Sequence, residues 1–456
     1  ATVGWWNESV TSRCLEWGQA LADKTKLVFK INTGAAVLGM GYIVGLKYAL
    51  IICCGSVAVW WVIVPAISWL FPDLVVSAGS SSVTASQASA EQIFQYAKSI
   101  GIGGIAMAGI IGIFKSRKII MGAVGLAAQE MKGKGKSDTA VPRTQKDLSM
   151  KIIAVGSLLT LAAILLFFYF GVMEGNLLFT LTGVLLVAVI AFLFTTVAAN
   201  AIAIVGSNPV SGLTLMTLIL ASVIMVAVGL KGPAGMVAAL IMGGVVCTAL
   251  STAGSFITDL KIGYWLGSTP KKQETFKFLG TLVSAATVAG VIMILNDTYG
   301  FTSGQLAAPQ ANAMAAVIEP LMSGAGAPWL LYGIGAALAI LLTLFNVSAL
   351  AFALGMFIPL ELNLPLLVGG LINWYVTTRS SKEQVNKERG EKGTLIASGF
   401  IAGGALMGVV SAALRFGGIS FDYSAWWANP ASEWLSLLMY VLLIIYMIKA
   451  SMRIKK

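Results

Sequence analysis

The sequence predicts an all-α, polytopic transmembrane helical bundle with discontinuous or re-entrant helices and an internal repeat. Three observations carry that expectation. The 456 residues are 57% hydrophobic and 11% charged, with a mean hydropathy of +0.87; a soluble domain carries about twice that charge. The charges gather in a few segments between long apolar runs, the pattern of loops and spans. Proline and glycine interrupt several of those runs, which backbone facing lipid does not tolerate. Strict apolar–polar alternation is absent, which argues against an outer-membrane barrel. The net charge of +11 sits in loops between spans, so it reads as topology and not as a nucleic-acid surface. Cys14, Cys53, Cys54 and Cys247 form no metal-ligand spacing, and there is no histidine. Nucleophile and metal chemistry lack their usual parts, so no enzyme, cofactor or metal is expected. Any proton coupling has to use Asp or Glu.

Taken in order, residues 1–30 mix charged and apolar residues without a clear span and read as an amphipathic or connecting segment. The chain starts at Ala1, and no signal peptide is legible. Residues 31–114 read as the end of a first helical half. Within it, 31–46 is short and glycine-rich, fitting a half-span or a tightly packed helix. Residues 48–71 and 93–114 are spans, and Lys98 near the start of the latter is placed to snorkel. Residues 115–151 hold nine basic and three acidic residues and read as a cytoplasmic linker. Residues 152–456 form the second half. Its first spans are 152–172, 177–198, 213–230, 234–257 and 278–295.

From Thr298 to Thr378 there are 81 residues with two charges, Glu319 and Glu361. Only 329–345 is an uninterrupted span there; the remainder suggests discontinuous helices. Spans at 394–414 and 434–448 end the chain. Basic loops at 115–151, 261–277 and 379–392 are expected on the cytoplasmic side of a prokaryotic inner membrane. Parity then requires a hairpin within 346–376, around Pro359–Pro365, and gives nine to twelve spans. The aromatic pairs Trp5–Trp6, Trp60–Trp61 and Trp426–Trp427 read as membrane-interface anchors.

Two further patterns bear on function. Leu38-Gly-Met-Gly, followed by CCGSVAVWW, is similar to Leu354-Gly-Met-Phe, followed by VGGLINWY, as in a repeat of one helical unit. The loop after the first copy lacks basic residues and the loop after the second is basic, which fits an inverted repeat better than a parallel one. Between Glu174 and Lys231 lie 56 residues without a charge. Two spans need about 40 of them, and the surplus falls on NAIAIVGSNPVSGLT, Asn200–Thr214. Pro209 pushes Asn208 out of the helical region, and Asn208 suits an N-cap, so a helix is expected to restart at Pro209.

The runs SNPVSGLT (207–214), LKIGYWLGSTPKKQ (260–273), APQA (308–311), APWLLYGIGAALA (327–339) and ALGMFIPLELNLPLLVGGLI (353–372) together resemble the oligopeptide transporter family. LGMGYIVG (38–45) and RTQKDL (143–148) resemble it more weakly. The resemblance covers mainly the family's C-terminal half and the end of its N-terminal half. It implies a proton-coupled importer of small oligopeptides or peptide-like metal chelates, built from two homologous halves. The alternative is a non-transporting fragment, or a structural or channel-like subunit of a larger assembly. A homo-oligomer, or a second chain supplying the remaining half, stays open.

On the residues themselves, Asn208, Ser211 and Thr214 are candidates to meet a substrate carboxylate or backbone, with Pro209 and Gly212 shaping the break. Asn200 and Gln310 are further substrate-binding candidates, with interhelical hydrogen bonding as the alternative. Carboxylates within spans are functional candidates because an unpaired charge there costs several kcal/mol. Glu319 and Glu361 are therefore the proton-coupling candidates; burial favours a neutral carboxyl, as coupling needs. Asn363 is placed to share a hydrogen-bond network with Glu361.

Overall fold

A computed structural model describes residues 6–78, 81–115, 121, 142–205, 210–301, 309–322, 328–419, 426 and 429–453. The N-terminal segment does more than connect. Strand β1 (Ser9–Thr11) pairs antiparallel with β2 (Lys30–Asn32), Val10 opposite Ile31, with helix α1 (Glu16–Thr25) between them. The expected apolar run from Ile31 is therefore shortened, because Ile31 is spent in the strand. Helix α2 (Ala35–Val44) ends at Gly45, whose φ of 80° favours glycine, and α3 (Leu46–Val57) restarts there. A π-helical turn (Ala58–Ile63) carries α3 into α4 (Val64–Leu70). Strands β3 (Val75–Ala78) and β4 (Ser81–Thr84) form a hairpin before α5 (Ala90–Lys115).

The next helices are α6 (Met150–Phe167), α7 (Leu177–Val205), α8 (Val210–Val228), α9 (Gly232–Trp265), α10 (Pro270–Tyr299) and α11 (Pro309–Met322). After them come α12 (Trp329–Leu344), α13 (Ala349–Phe357), α14 (Leu360–Thr378), α15 (Glu383–Phe416) and α16 (Pro430–Met452). Seven stretches among the described residues are long and apolar enough to cross a membrane, with shorter apolar helices beside them. The 10 residues of α2 and the nine of α13 rise only about 15 Å and 13 Å, half the apolar thickness of a bilayer. The break near Pro359 lies at Ile358–Pro359, and α14 runs straight through Pro365. The hairpin expected around Pro359–Pro365 is thus confined to its first end. Pro365 has no N–H to offer the carbonyl of Glu361, one turn back.

Two compact units divide the chain: residues 1–104, 290–307 and 330–456, and residues 105–289 and 308–329. In the second unit, Phe168, Phe194, Met225, Met242, Leu250 and Ile318 form the core. Glu174 and Gly175, both at positive φ, make the tight turn before α7, and Lys231 caps α9 with Pro233 in its first turn. The RTQKDL segment docks on the start of α10. Lys271 donates its backbone N–H to Lys146 O at 2.9 Å, Leu148 N donates to a Glu274 carboxylate oxygen at 2.7 Å, and the Arg143 guanidinium donates to Gly267 O at 2.9 Å.

In the first unit the two broken helices cross. The missing Cβ of Gly41 makes room for Leu366 and that of Gly355 for Ile52; Gly55 makes room for Phe352 and Gly369 for Leu38. An offset of 314 residues carries Gly41 to Gly355 and Gly55 to Gly369. The same offset, added to one partner and subtracted from the other, turns the Gly41–Leu366 contact into Gly355–Ile52, and Leu38–Gly369 into Phe352–Gly55. Numbers rise along one copy as they fall along the other, so α2–α3 and α13–α14 pack antiparallel about a local two-fold. The sequence similarity at Leu38 and Leu354 had a register two residues away from this one.

Candidate functional site

Glu361 lies in the first turn of α14, just after the break, and its carboxylate forms an ion pair with Lys30 of β2. Its Oε2 is buried, and the Lys30 ammonium is in contact with that same oxygen. The pair borders a cavity of about 150 Å³ lined by Val28, Lys30, Trp60, Glu91, Phe94, Gln95, Pro359, Leu360 and Glu361.

Four local features build this cavity. The π-helical turn supplies Trp60, whose ring stacks on Phe94 at 4.4 Å between centroids; π-bulges often occur at functional sites. The break at Pro359 supplies Glu361, and β2 brings in Lys30. The first turn of α5 supplies Glu91, which grips Arg13 with two parallel contacts of 3.0 Å, a fork matched to a carboxylate. Glu91 lies outside the 93–114 span. Burial pushes its carboxyl up, but hydrogen bonds from its backbone, Arg13 and Ser89, with the Arg13 charge, outweigh that and hold it below the usual range.

Beneath the cavity, Asn363 is buried and donates from Nδ2 to Ser56 Oγ, Gly355 O and Ile358 O, the last two at 3.2 Å. Ser56 Oγ itself donates to Gly355 O at 2.7 Å. These bonds satisfy carbonyls that the broken helix leaves open. The expected network between Asn363 and Glu361 does not form; Asn363 serves the break itself, because its amide points back toward α13. At the equivalent positions of the other copy stand Ala49 and Gly370, which only touch.

The other expected site residues fall in the second unit. Asn208 and Pro209 lie outside the described residues. Ser211 and Gly212 belong to the first turns of α8, and Asn200 to the last turns of α7. Thr214 is buried, at 2% exposure. Gln310 is at the start of α11, and Glu319 is on the same helix with its side chain exposed. The burial anticipated for Glu319 is therefore not what the structure has. Trp60 is likewise a core and cavity residue at 7% exposure and not an interface anchor, while Trp61 Nε1 donates to Val28 O at 3.1 Å. Sequence reasoning missed Lys30, Arg13, Glu91 and Gln95. The available signal was Glu91, Gln95 and Lys98, spaced four and three along one helix face.

The comparisons with known proteins point the same way as this architecture. The chain is similar to a Haemophilus influenzae protein provisionally named an oligopeptide transporter, with 26% identity over 486 aligned positions, covering 94% of this chain and 75% of that one. Residues 1–415 match the family described as OPT oligopeptide transporter protein. Broken apolar helices crossing through glycine, a family match over nine-tenths of the chain and a relative of the same description agree, and the chain belongs to the OPT oligopeptide transporter family.

Proposed function

We propose that this chain is a proton-coupled importer of short peptides and that Glu361 carries the proton. The observation behind this is the ion pair between Lys30 and the buried Oε2 of Glu361, at a helix break beside a cavity. Protonation of that carboxyl would remove the attraction for Lys30. Lys30 and β2 would then be released from α14. Glu319 is the second candidate for the proton, and the Asn208–Thr214 segment, with Asn200 and Gln310, is a second place for substrate contacts. Free peptides suit the cavity better than metal chelates, because a chelated metal occupies the amine and carboxylate groups that ion-pair exchange would read.

The test is uptake of radiolabelled di- to tetrapeptides into proteoliposomes, with and without an inward proton gradient. Glu361→Gln should abolish the gradient dependence while leaving peptide counterflow. Gradient-dependent uptake that survives Glu361→Gln and disappears in Glu319→Gln would move the coupling role to Glu319.

A further inference from the structure

We infer, on the peptide-transport reading above, that Lys30 is the receptor for the substrate's terminal carboxylate, with the Trp60 indole as second donor, and that protonation of Glu361 opens this seat. The charged side chains in the cavity wall are Lys30, Glu91 and Glu361. Glu91 is taken by the two contacts from Arg13, so the Lys30–Glu361 pair is the one free to exchange. With Glu361 ionised, Arg13, Glu91, Lys30 and Glu361 sum to zero charge. With Glu361 protonated they leave one positive charge, on Lys30, and that charge attracts an anion. The two side chains keep 41% and 28% of their exposure, and a pair this open to solvent contributes little to stability. A second carboxylate therefore replaces that of Glu361 at small cost.

Trp60 adds an independent observation. It is a wall residue of the cavity at 7% exposure, and its indole N–H, a donor with no acceptor capacity, is buried without a hydrogen-bond partner. The neighbouring indole is satisfied, since Trp61 Nε1 donates to Val28 O at 3.1 Å. Buried donors are nearly always paired, so an orphan beside a cavity calls for an acceptor from elsewhere. The stack on Phe94, 4.4 Å between centroids, holds the ring in place. A carboxylate has two acceptor oxygens, one for the ammonium and one for the indole. The cavity of about 150 Å³ is below the ~300 Å³ that encloses a drug-sized ligand. It suits one end of a peptide, with the rest of the chain outside, and so sets no limit on peptide length.

Coupling follows from the exchange. On the proton-rich side the Glu361 carboxylate takes a proton from water, Lys30 is freed, and the substrate's carboxylate binds to its ammonium. On the proton-poor side the proton returns to water, Glu361 reclaims Lys30, and the substrate's carboxylate is displaced. Proton and substrate each raise the other's affinity, as linkage requires. Glu91 and Arg13, the other charged groups at this wall, stay ionised throughout, because each holds the other's charge. In Glu361→Gln the ammonium of Lys30 is free at every pH, so binding persists and its dependence on protons is lost.

The experiment measures KM for trialanine and for its C-terminal amide in proteoliposomes, at acidic and at neutral external pH, with the membrane potential held at zero. Wild type should favour the acid by tenfold or more at acidic pH, and the gap should close toward neutral pH. Lys30→Met should erase the gap, and Lys30→Arg should keep it. Glu361→Gln should show the gap at both pH values. Trp60→Phe, which keeps a ring against Phe94 but has no N–H, should narrow it several-fold. An unchanged gap in Lys30→Met overturns the assignment and leaves peptide transport standing. So does equal KM for acid and amide in wild type, which decides the matter even if Lys30→Met does not fold. A wild-type gap that ignores pH overturns the gate at Glu361. No uptake of either compound by wild type overturns the peptide reading, and the assignment with it.

Discussion

Gly355→Ala should be among the most damaging single-methyl additions in the first unit. The new Cβ would meet the carbonyl of Ile52 and stand 2.7 Å from its carbon and 3.0 Å from its Cα, where ordinary contacts are 3.4–4 Å. Both neighbours are backbone, so no rotamer change relieves the clash. The helices have to part by at least about 0.7 Å along the whole crossing, and overpacking of this kind costs roughly 1–3 kcal/mol. The local two-fold makes the prediction double: Gly41→Ala, 2.7 Å from Leu366 Cα, should cost about as much. Gly408 provides the control, since it also lies within a helix, in the same unit, with nothing near its missing Cβ. There alanine should be neutral or stabilise by up to about 1 kcal/mol through helix propensity. The assay is thermal unfolding of the purified protein in detergent, read as Tm differences among the three variants. Equal Tm for Gly355→Ala and Gly408→Ala would refute the crossing. A loss at Gly355 with none at Gly41 would refute the symmetry.

Three further predictions follow from the site. Asn363→Leu should destabilise by roughly 1–3 kcal/mol, because Ile358 O loses its amide donor, and combining it with Ser56→Ala should be non-additive by at least about 0.5 kcal/mol in a Tm-based double-mutant cycle. The Arg13–Glu91 pair contributes stability that is fully present above the ordinary glutamate pKa of about 4.3 and is lost as pH falls through the lowered folded value. Its partial exposure keeps that contribution near or below ~1 kcal/mol, so the Tm gap between wild type and Glu91→Gln should close as pH is lowered from 5 to about 3. Exchanging the charges of the other pair, Lys30→Glu with Glu361→Lys, should restore the fold lost in Lys30→Glu alone but not gradient-dependent uptake, as measured by Tm and peptide flux together.

Much of this architecture was legible in order along the chain. Charge-free runs marked the spans, the short glycine-rich run at 31–46 and the prolines around Pro359 marked interrupted helices, and Glu319 and Glu361 stood out as the two charges between 298 and 378. What was illegible depends on partners far apart. Lys30 is more than 300 residues from Glu361, and nothing in its local text distinguishes it from a surface lysine. The strands β1 and β2 are three residues each, too short to show alternation. The repeat register was misread because apolar text matches itself at several offsets; only backbone contact at the glycines separates 314 from 316. Pro365 looked like a second helix end, yet α14 continues through it and forgoes the bond to the Glu361 carbonyl.

The unequal joints of this two-fold repeat carry a mechanical consequence. At Ile358–Pro359 an asparagine and a serine staple the gap with side-chain hydrogen bonds. At Gly45 the matching places hold Ala49 and Gly370, and among the described residues only the main chain bridges the gap, Gly45 N donating to Gly41 O and Ala49 N to Gly45 O, each at 3.1 Å. Each staple bond adds roughly 0.5–1.5 kcal/mol of resistance to bending. A machine with two equal elbows could flex at either and would have no preferred order of opening. This one has a stiff elbow and a loose elbow, so under load Gly45 yields first and the stroke acquires a sequence. Amide exchange faster around Gly45 than around Ile358 would be its signature, and Asn363→Leu should even out the two.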